Sequence, residues 1–267
     1  LRANSLLQGA SSFAATVGAA IGGFLYLLLG APMLFLANGV SFLLSAASEA
    51  FVTVPRPAER APTSILTDVH EGLKFIMGNR GLRRLLVTIA CMNLTSAPLI
   101  VTLPMLVRDH HQSGPDFLGL LAASQSIGTL LAAAALGSRA VPARLRPVLA
   151  PASLALCAAS LIGMIYLEER FLVACAFALY GIGLVGFNVP IQAAIQSNTP
   201  AALRGRVTAA STTIVGALLP LAAAVTGVIV DAVDKNVSMV WIGTAAVFCG
   251  CAASIMASRP ARTYLTT

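Results

Sequence analysis

Charge is scarce in this sequence. Asp, Glu, Lys and Arg make up 10% of its 267 residues, against ~25% in ordinary soluble domains. Water cannot solvate a surface built from so few charges, which argues against a soluble enzyme or a nucleic-acid module. Histidine is rarer still: His70, His110 and His111 are the only three, and all lie in connections between apolar blocks. The five cysteines (Cys91, Cys157, Cys175, Cys249, Cys251) sit inside apolar blocks, with no C-x-x-C and no Cys/His cluster. Cysteine behaves there as a small hydrophobe, so neither a redox pair nor a metal is expected. No H-E-x-x-H or G-x-S-x-G motif is present, which speaks against a membrane-embedded enzyme. No G-x-x-x-x-G-K-[ST] loop is present either, which speaks against an ATP-driven pump. The expectation is a protein without catalytic residues, cofactor or nucleic-acid partner.

Apolar residues are abundant, at 57%, and they are clustered. Eight blocks, at 5–29, 31–53, 85–107, 116–138, 147–167, 171–196, 207–230 and 237–257, are each long enough to cross a hydrocarbon core of ~30 Å as a helix. The fold class expected is therefore an all-α polytopic membrane protein of eight transmembrane helices. Basic residues sort between alternate connections. Arg2, the 54–84 loop, the 139–146 connection, Arg204, Arg206 and the 259–267 tail hold 14 of the 17 Lys and Arg. Arg108, Arg170 and Lys235 are the three on the other side. The positive-inside rule then puts both termini in the cytoplasm.

The two ends of the chain resemble each other. Leu1-Arg2-Ala3 precedes the first block and Leu203-Arg204-Gly205 the seventh, six helices later. A six-helix repeat is the signature of a transporter made of two parallel halves. It implies that 1–54 holds the last two helices of an N-terminal bundle, with four further helices ahead of them. On this division 55–84 is a cytoplasmic loop, 85–258 a C-terminal six-helix bundle and 259–267 a cytoplasmic tail. Within the loop, Ile65, Leu66, Val69, Leu73, Ile76 and Met77 recur at helical spacing against Asp68, Glu71 and Lys74. That pattern predicts an amphipathic helix at the inner interface, tethering the two halves.

Particular motifs carry a family resemblance. Glu71-Gly72-Leu73-Lys74-Phe75-Ile76, with Leu82-Arg83-Arg84-Leu85, resembles the central cytoplasmic loop of the major facilitator superfamily. Phe187-Asn188-Val189-Pro190, with Leu203-Arg204-Gly205-Arg206-Val207, is similar to the tenth helix of that superfamily and the loop after it. Gly18-Ala19-Ala20-Ile21-Gly22-Gly23 looks like the antiporter motif of the fifth helix, with Ala19 where the motif has Pro. The likeness is greatest to the branch of siderophore exporters and macrolide-efflux proteins. It implies a chain starting at the fifth of twelve helices and a secondary exporter in the bacterial inner membrane. It also implies a small amphipathic substrate, moved by alternating access and exchanged with protons. The 137–146 connection departs from the superfamily by carrying Arg139, Arg144 and Arg146 with no acid, which removes an ionic latch. A transport-inactive, truncated relative with a scaffolding or regulatory role is the alternative.

Polar groups inside hydrocarbon are costly, so they face protein or a wet cavity. The resemblance makes the third and sixth spans cavity-lining helices. The third carries Asn93, Thr95 and Ser96, followed by Pro98 and Pro104, and proline bends a helix by removing a hydrogen bond. The sixth carries Tyr180, then Asn188, Gln192 and Gln196 at spacings of four, along one drifting face. Cavity lining and helix–helix hydrogen bonding both fit these amides. Gln125 and Thr212 are weaker candidates for the same cavity. Gly18, Gly22 and Gly23 fit either static close packing or a sliding contact between halves, and the Arg204-Gly205-Arg206 turn joins them as a conformational candidate. Asp109, His110, His111 and Asp116 read as a solvated outer loop, because adjacent histidines rarely reach one ion together. The acids Glu49 and Asp231 lie only at span ends, so a proton-coupling acid is expected in the preceding helices.

Overall fold

The computed structural model describes residues 29–30, 32–49, 51, 65–137, 141–200, 203–234 and 236–266. Nine helices run through them: α1 (32–49), α2 (Ile65–Gly78), α3 (Arg80–Met105), α4 (Pro115–Gly137), α5 (Arg146–Tyr166), α6 (Arg170–Asn198), α7 (Arg204–Ala232), α8 (Val237–Ala257) and α9 (Arg259–Thr266). Six of these, α3 to α8, are long and apolar enough to cross a membrane. They account for six of the eight expected spans among the described residues. Almost all of the 5–29 block, including Gly18, Gly22 and Gly23, lies outside them, and the 31–53 block is described as a helix only over 32–49.

Local chemistry explains where the helices start and stop. The Asn79 side chain accepts hydrogen bonds from the backbone N–H groups of Gly81 and Leu82, which caps the first turn of α3. Asn236 does the same for α8 by accepting from Met239 N–H. Pro147 falls in the first turn of α5, where its missing N–H costs nothing. At its far end α3 widens into a π-turn over Leu106–His110.

The six spans form an open row in which α4 packs on α6, α6 on α5, α5 on α8, α8 on α3 and α3 on α7. The end helices α4 and α7 bury 22% and 20% of their most apolar stretch, whereas the inner four bury between 44% and 56%. Lipid-facing positions such as Val87, Ile100, Phe171 and Val228 are exposed and apolar, as a bilayer requires.

Glycine sets the tightest contacts. A Cβ at Gly128 of α4 would collide with the Ala178 carbonyl of α6, and one at Gly181 with the Gln125 carbonyl of α4. On the other side of α6, a Cβ at Gly183 would stand 2.8 Å from the Ser153 carbonyl oxygen of α5, and one at Gly186 would strike the Ser153 hydroxyl. In lipid no hydrophobic force draws helices together, so such close backbone approach is a main source of association. The inner core adds aromatic packing. Tyr180 stacks on Phe177 at 5.6 Å and lies 6.4 Å from Phe248 of α8. Trp241, fully buried, donates its indole N–H to Thr102 Oγ1 at 2.9 Å, and Thr102 donates onward to the Pro98 carbonyl at 2.6 Å.

Two features differ from the sequence expectation. The 259–267 tail is mostly helical: α9 folds under the bundle with Ala261, Tyr264 and Leu265 buried. Asn198 of α6 donates to the Tyr264 carbonyl at 2.7 Å. The outer histidines are also engaged rather than merely solvated. His110 Nε2 lies 2.8 Å from the Ile165 carbonyl and His111 Nε2 lies 3.1 Å from the Met164 carbonyl. These are last-turn carbonyls of α5, which an α-helix leaves without internal partners, so each ring N–H caps one. No group of three or more His, Cys, Asp or Glu suited to a metal occurs among the described residues.

Gly128→Val drives methyl groups into the Ala178 backbone and is expected to cost about 3 kcal/mol or more. Thermal unfolding in detergent checks this, with Gly250→Ala as the control because Gly250 has open space; a Gly128→Val protein as stable as the control refutes the packing argument. Burial lowers the pKa of His111, against the raising effect of its Met164 hydrogen bond, and neighbouring His110 lowers it further. The folded chain thus resists a proton that the unfolded chain accepts near the ordinary 6.5. Stability should be full above that pH and fall as the pH drops below it. The same titration on His111→Gln should show a smaller acid loss of Tm, and an unchanged loss assigns the effect to another group.

Candidate functional site

Three helices bring the amides together. Asn93 of α3 and Asn188 and Gln192 of α6 line a cavity of about 300 Å³ whose third wall is Thr208, Ser211 and Gly216 of α7. Leu86, Ile89 and Ile195 complete it with apolar surface. Asn93 donates one amide hydrogen to the Ile89 carbonyl, and Asn188 one to the Leu184 carbonyl, both at 2.9 Å. Each bond ties the side chain to its own helix. An amide has a two-lone-pair oxygen and a second N–H besides, so each retains capacity for a guest. Asn188 and Gln192 are exposed, four residues apart on one face of α6. The cavity offers neutral donors and acceptors on an apolar bed, with no ionised group in its wall. Such a lining suits an uncharged or amphipathic molecule rather than a naked ion.

The other candidates distribute elsewhere. Thr95 is two residues from Asn93, about 200° around the helix, and faces a different crevice. There Thr95 and Pro98 of α3, Leu221 and Val225 of α7 and Thr244 of α8 border an apolar space of about 440 Å³. Ser96 donates to the Met92 carbonyl of its own helix at 2.8 Å. Tyr180 itself is 4% exposed in the aromatic core, away from the cavity. Gln125 lies on the α4–α6 seam, its carbonyl against Gly181. Gln196 is exposed beyond the cavity, and the side chain of Thr212 lies outside what is described. Thr208 and Ser211 were missed by sequence reasoning. Their spacing of three on α7 was available as a signal, but Thr212 stood nearer the block's centre.

The conformational candidates on α7 have partners. Arg206 forms an ion pair with Glu71 of α2. A Cβ on Gly72 would stand 2.7 Å from the Arg206 carbonyl oxygen, so glycine is what lets α2 lie against α7. Arg204 donates through Nε to the Thr199 carbonyl at 3.0 Å, tying the start of α7 to the end of α6. Gly205 has open space around it.

Six membrane-crossing helices, three of them lining a neutral polar cavity, define a multi-pass membrane protein. A family profile described as Major Facilitator Superfamily matches residues 1–224, and the chain belongs to that superfamily. Its members are transporters that bind small-molecule substrates within the membrane, not enzymes. No curated protein sequence matches the chain.

If the cavity is wet, a cysteine in its wall reacts with a water-soluble maleimide. Gln192→Cys is expected to label well above the wild-type background, while Phe187→Cys, at a position 1% exposed, stays unlabelled. Equal reactivity at the two positions defeats the assignment of an aqueous cavity.

Proposed function

We propose that the chain belongs to a secondary active exporter that moves a small amphipathic molecule out of the cell by alternating access. The observation that carries this reading is the convergence of Asn93, Asn188 and Gln192 on one cavity between α3, α6 and α7. Amides recognise polar atoms without requiring charge, and Leu86, Ile89 and Ile195 give an apolar portion of the guest somewhere to lie. Direction and exchange with protons rest on the resemblance to siderophore exporters and macrolide-efflux proteins. The positive-inside pattern supports cytoplasmic termini in a bacterial inner membrane.

The lightly buried α4 and α7 at the ends of the row support packing against a second bundle, with rocking between halves around a midplane site. The amphipathic α2, held at Glu71 and Gly72 to the base of α7, supports the role of tether between bundles. Arg206 and Gly205 then belong to the turn about which that end of α7 moves.

Cells expressing the full-length transporter to which the chain is proposed to belong should accumulate less of a fluorescent amphipathic cation than cells without it. Asn188→Leu combined with Gln192→Leu should remove most of that difference at equal protein level, since losing two hydrogen-bonding amides from a binding cavity costs about 2–3 kcal/mol. Unchanged accumulation across a panel of amphipathic compounds sinks the exporter reading and leaves the scaffolding role.

A further inference from the structure

A second cavity, of about 490 Å³, opens at the opposite face of α3 from its amide, where the starts of α3 and α9 meet the end of α8. Arg80, Arg83 and Arg84 line it, with the hydroxyls of Ser254 and Ser258 across from them. Nothing in its lining is acidic. Among the described residues no carboxylate pairs with any of the three arginines, and the one hydrogen bond given by their side chains is from Arg83 Nη1 to the Met77 carbonyl. Ser258 accepts from Ala261 N–H at 3.4 Å, which leaves its own O–H to donate. Three arginines and two serines, with no acid among them, therefore line this space.

Position selects the kind of anion. The cavity lies where two membrane-crossing helices end, the level at which headgroups meet such helices. Directly above it α3 presents Val87, which also lines the cavity, and one heptad on Leu94; these are 55% and 45% exposed. The order along that face is cation, cation, apolar, apolar, which matches a headgroup followed by an acyl chain. Guanidinium binds phosphate oxygens in a two-pronged fork, and basic pockets between membrane helices favour anionic headgroups. A soluble anion would use the arginines but leave the apolar stripe idle.

We infer that the Arg80, Arg83 and Arg84 cavity binds the phosphodiester headgroup of an anionic phospholipid, whose acyl chain lies along Val87 and Leu94 of α3. The inference does not depend on the transported substrate. A lipid seated there bridges α3, α8 and α9, so its occupancy stabilises the base of the bundle.

The test uses the 267-residue chain in detergent, with palmitoyl-oleoyl phosphatidylglycerol, phosphatidylcholine of the same acyl chains, and inorganic phosphate added separately. Phosphatidylglycerol should raise the unfolding midpoint, and the other two should not. The triple variant R80Q/R83Q/R84Q should lose at least about tenfold in apparent affinity for phosphatidylglycerol, while R144Q, which removes an exposed charge from the same end, should keep the wild-type response. An equal rise with phosphatidylcholine overturns anionic selectivity. A rise with inorganic phosphate alone makes this a soluble-anion site and overturns the lipid assignment. Should the triple variant fail to fold, native mass spectrometry of the wild type decides: preferential retention of phosphatidylglycerol over phosphatidylcholine supports the site, and equal retention overturns it.

Discussion

Everything in the bundle hangs from α6, held backbone to backbone between two neighbours. Gly128 and Gly181 bring α4 against it, and Gly183 and Gly186 bring α5. In water such helices would be pressed together by the hydrophobic effect, but lipid is as apolar as leucine and supplies no such pressure. Dispersion between closely apposed backbones must replace it, and dispersion falls off steeply with a gap of even half an ångström. A side chain at Gly128, Gly181 or Gly183, where the neighbour is backbone, separates the helices by more than that. The consequence for function is positional. With one part of its surface locked to α4 and α5, α6 has a defined rotation, and that rotation puts Asn188 and Gln192 into the cavity beside Asn93 rather than into lipid.

Polarity within the spans divides into two kinds, and the structure separates them by what each hydroxyl or amide does. Thr88, Thr95, Ser96, Ser124, Ser126, Ser160, Thr226 and Thr244 all donate to a carbonyl three or four residues back on their own helix. A single donor satisfied locally costs little in lipid and says nothing about a ligand. Asn93 and Asn188 make the same backward bond but remain incompletely satisfied, because an amide carries more hydrogen-bonding capacity than one carbonyl absorbs. Residual capacity on two helices facing one cavity distinguishes a site from a packing seam.

This explains how much the sequence could reveal. The six spans were legible because their signal is local: length, apolarity and the charges that stop them. The amphipathic α2 was legible from its spacing, two of the cavity's amides, Asn188 and Gln192, from theirs, and Asn93 from its place inside an apolar span. Tyr180 shares the face-and-depth pattern of a cavity residue, yet Phe177 and Phe248 claim it for the core, and Phe248 is a contact across 68 positions that no periodicity encodes. The same holds for α9. Its eight residues are polar on average and look like a tail, and they become a helix because Gly81 lets Tyr264 and Pro260 approach α3 while Asn198 holds the Tyr264 carbonyl. His110 and His111 were expected in a solvated loop, whereas His110 ends a π-helical turn and both rings are engaged. Their function as caps for α5 depends on which helix end lies beside them, which is tertiary information.

The mechanical character of α7 follows from its unequal restraint. Along its length it buries only a fifth of its apolar stretch, packing chiefly on α3, so sideways displacement meets little resistance. At its base the situation reverses. Arg204 is hydrogen-bonded to the Thr199 carbonyl, Arg206 is paired with Glu71, and Gly72 seats α2 on the Arg206 backbone. The ion pair is partly exposed and contributes little by itself; the close glycine contact is what resists separation, since it cannot lengthen without losing its dispersion energy. A rod clamped at one end and lightly held elsewhere moves most cheaply by tilting about the clamp. Tilting about that clamp moves the far end of α7 most, and within the cavity wall it moves Gly216 more than Thr208 or Ser211, which lie within two turns of the clamp. The cavity thus has two walls set by close packing and one that can give, and a proposed exporter needs that asymmetry to hold a guest and then release it.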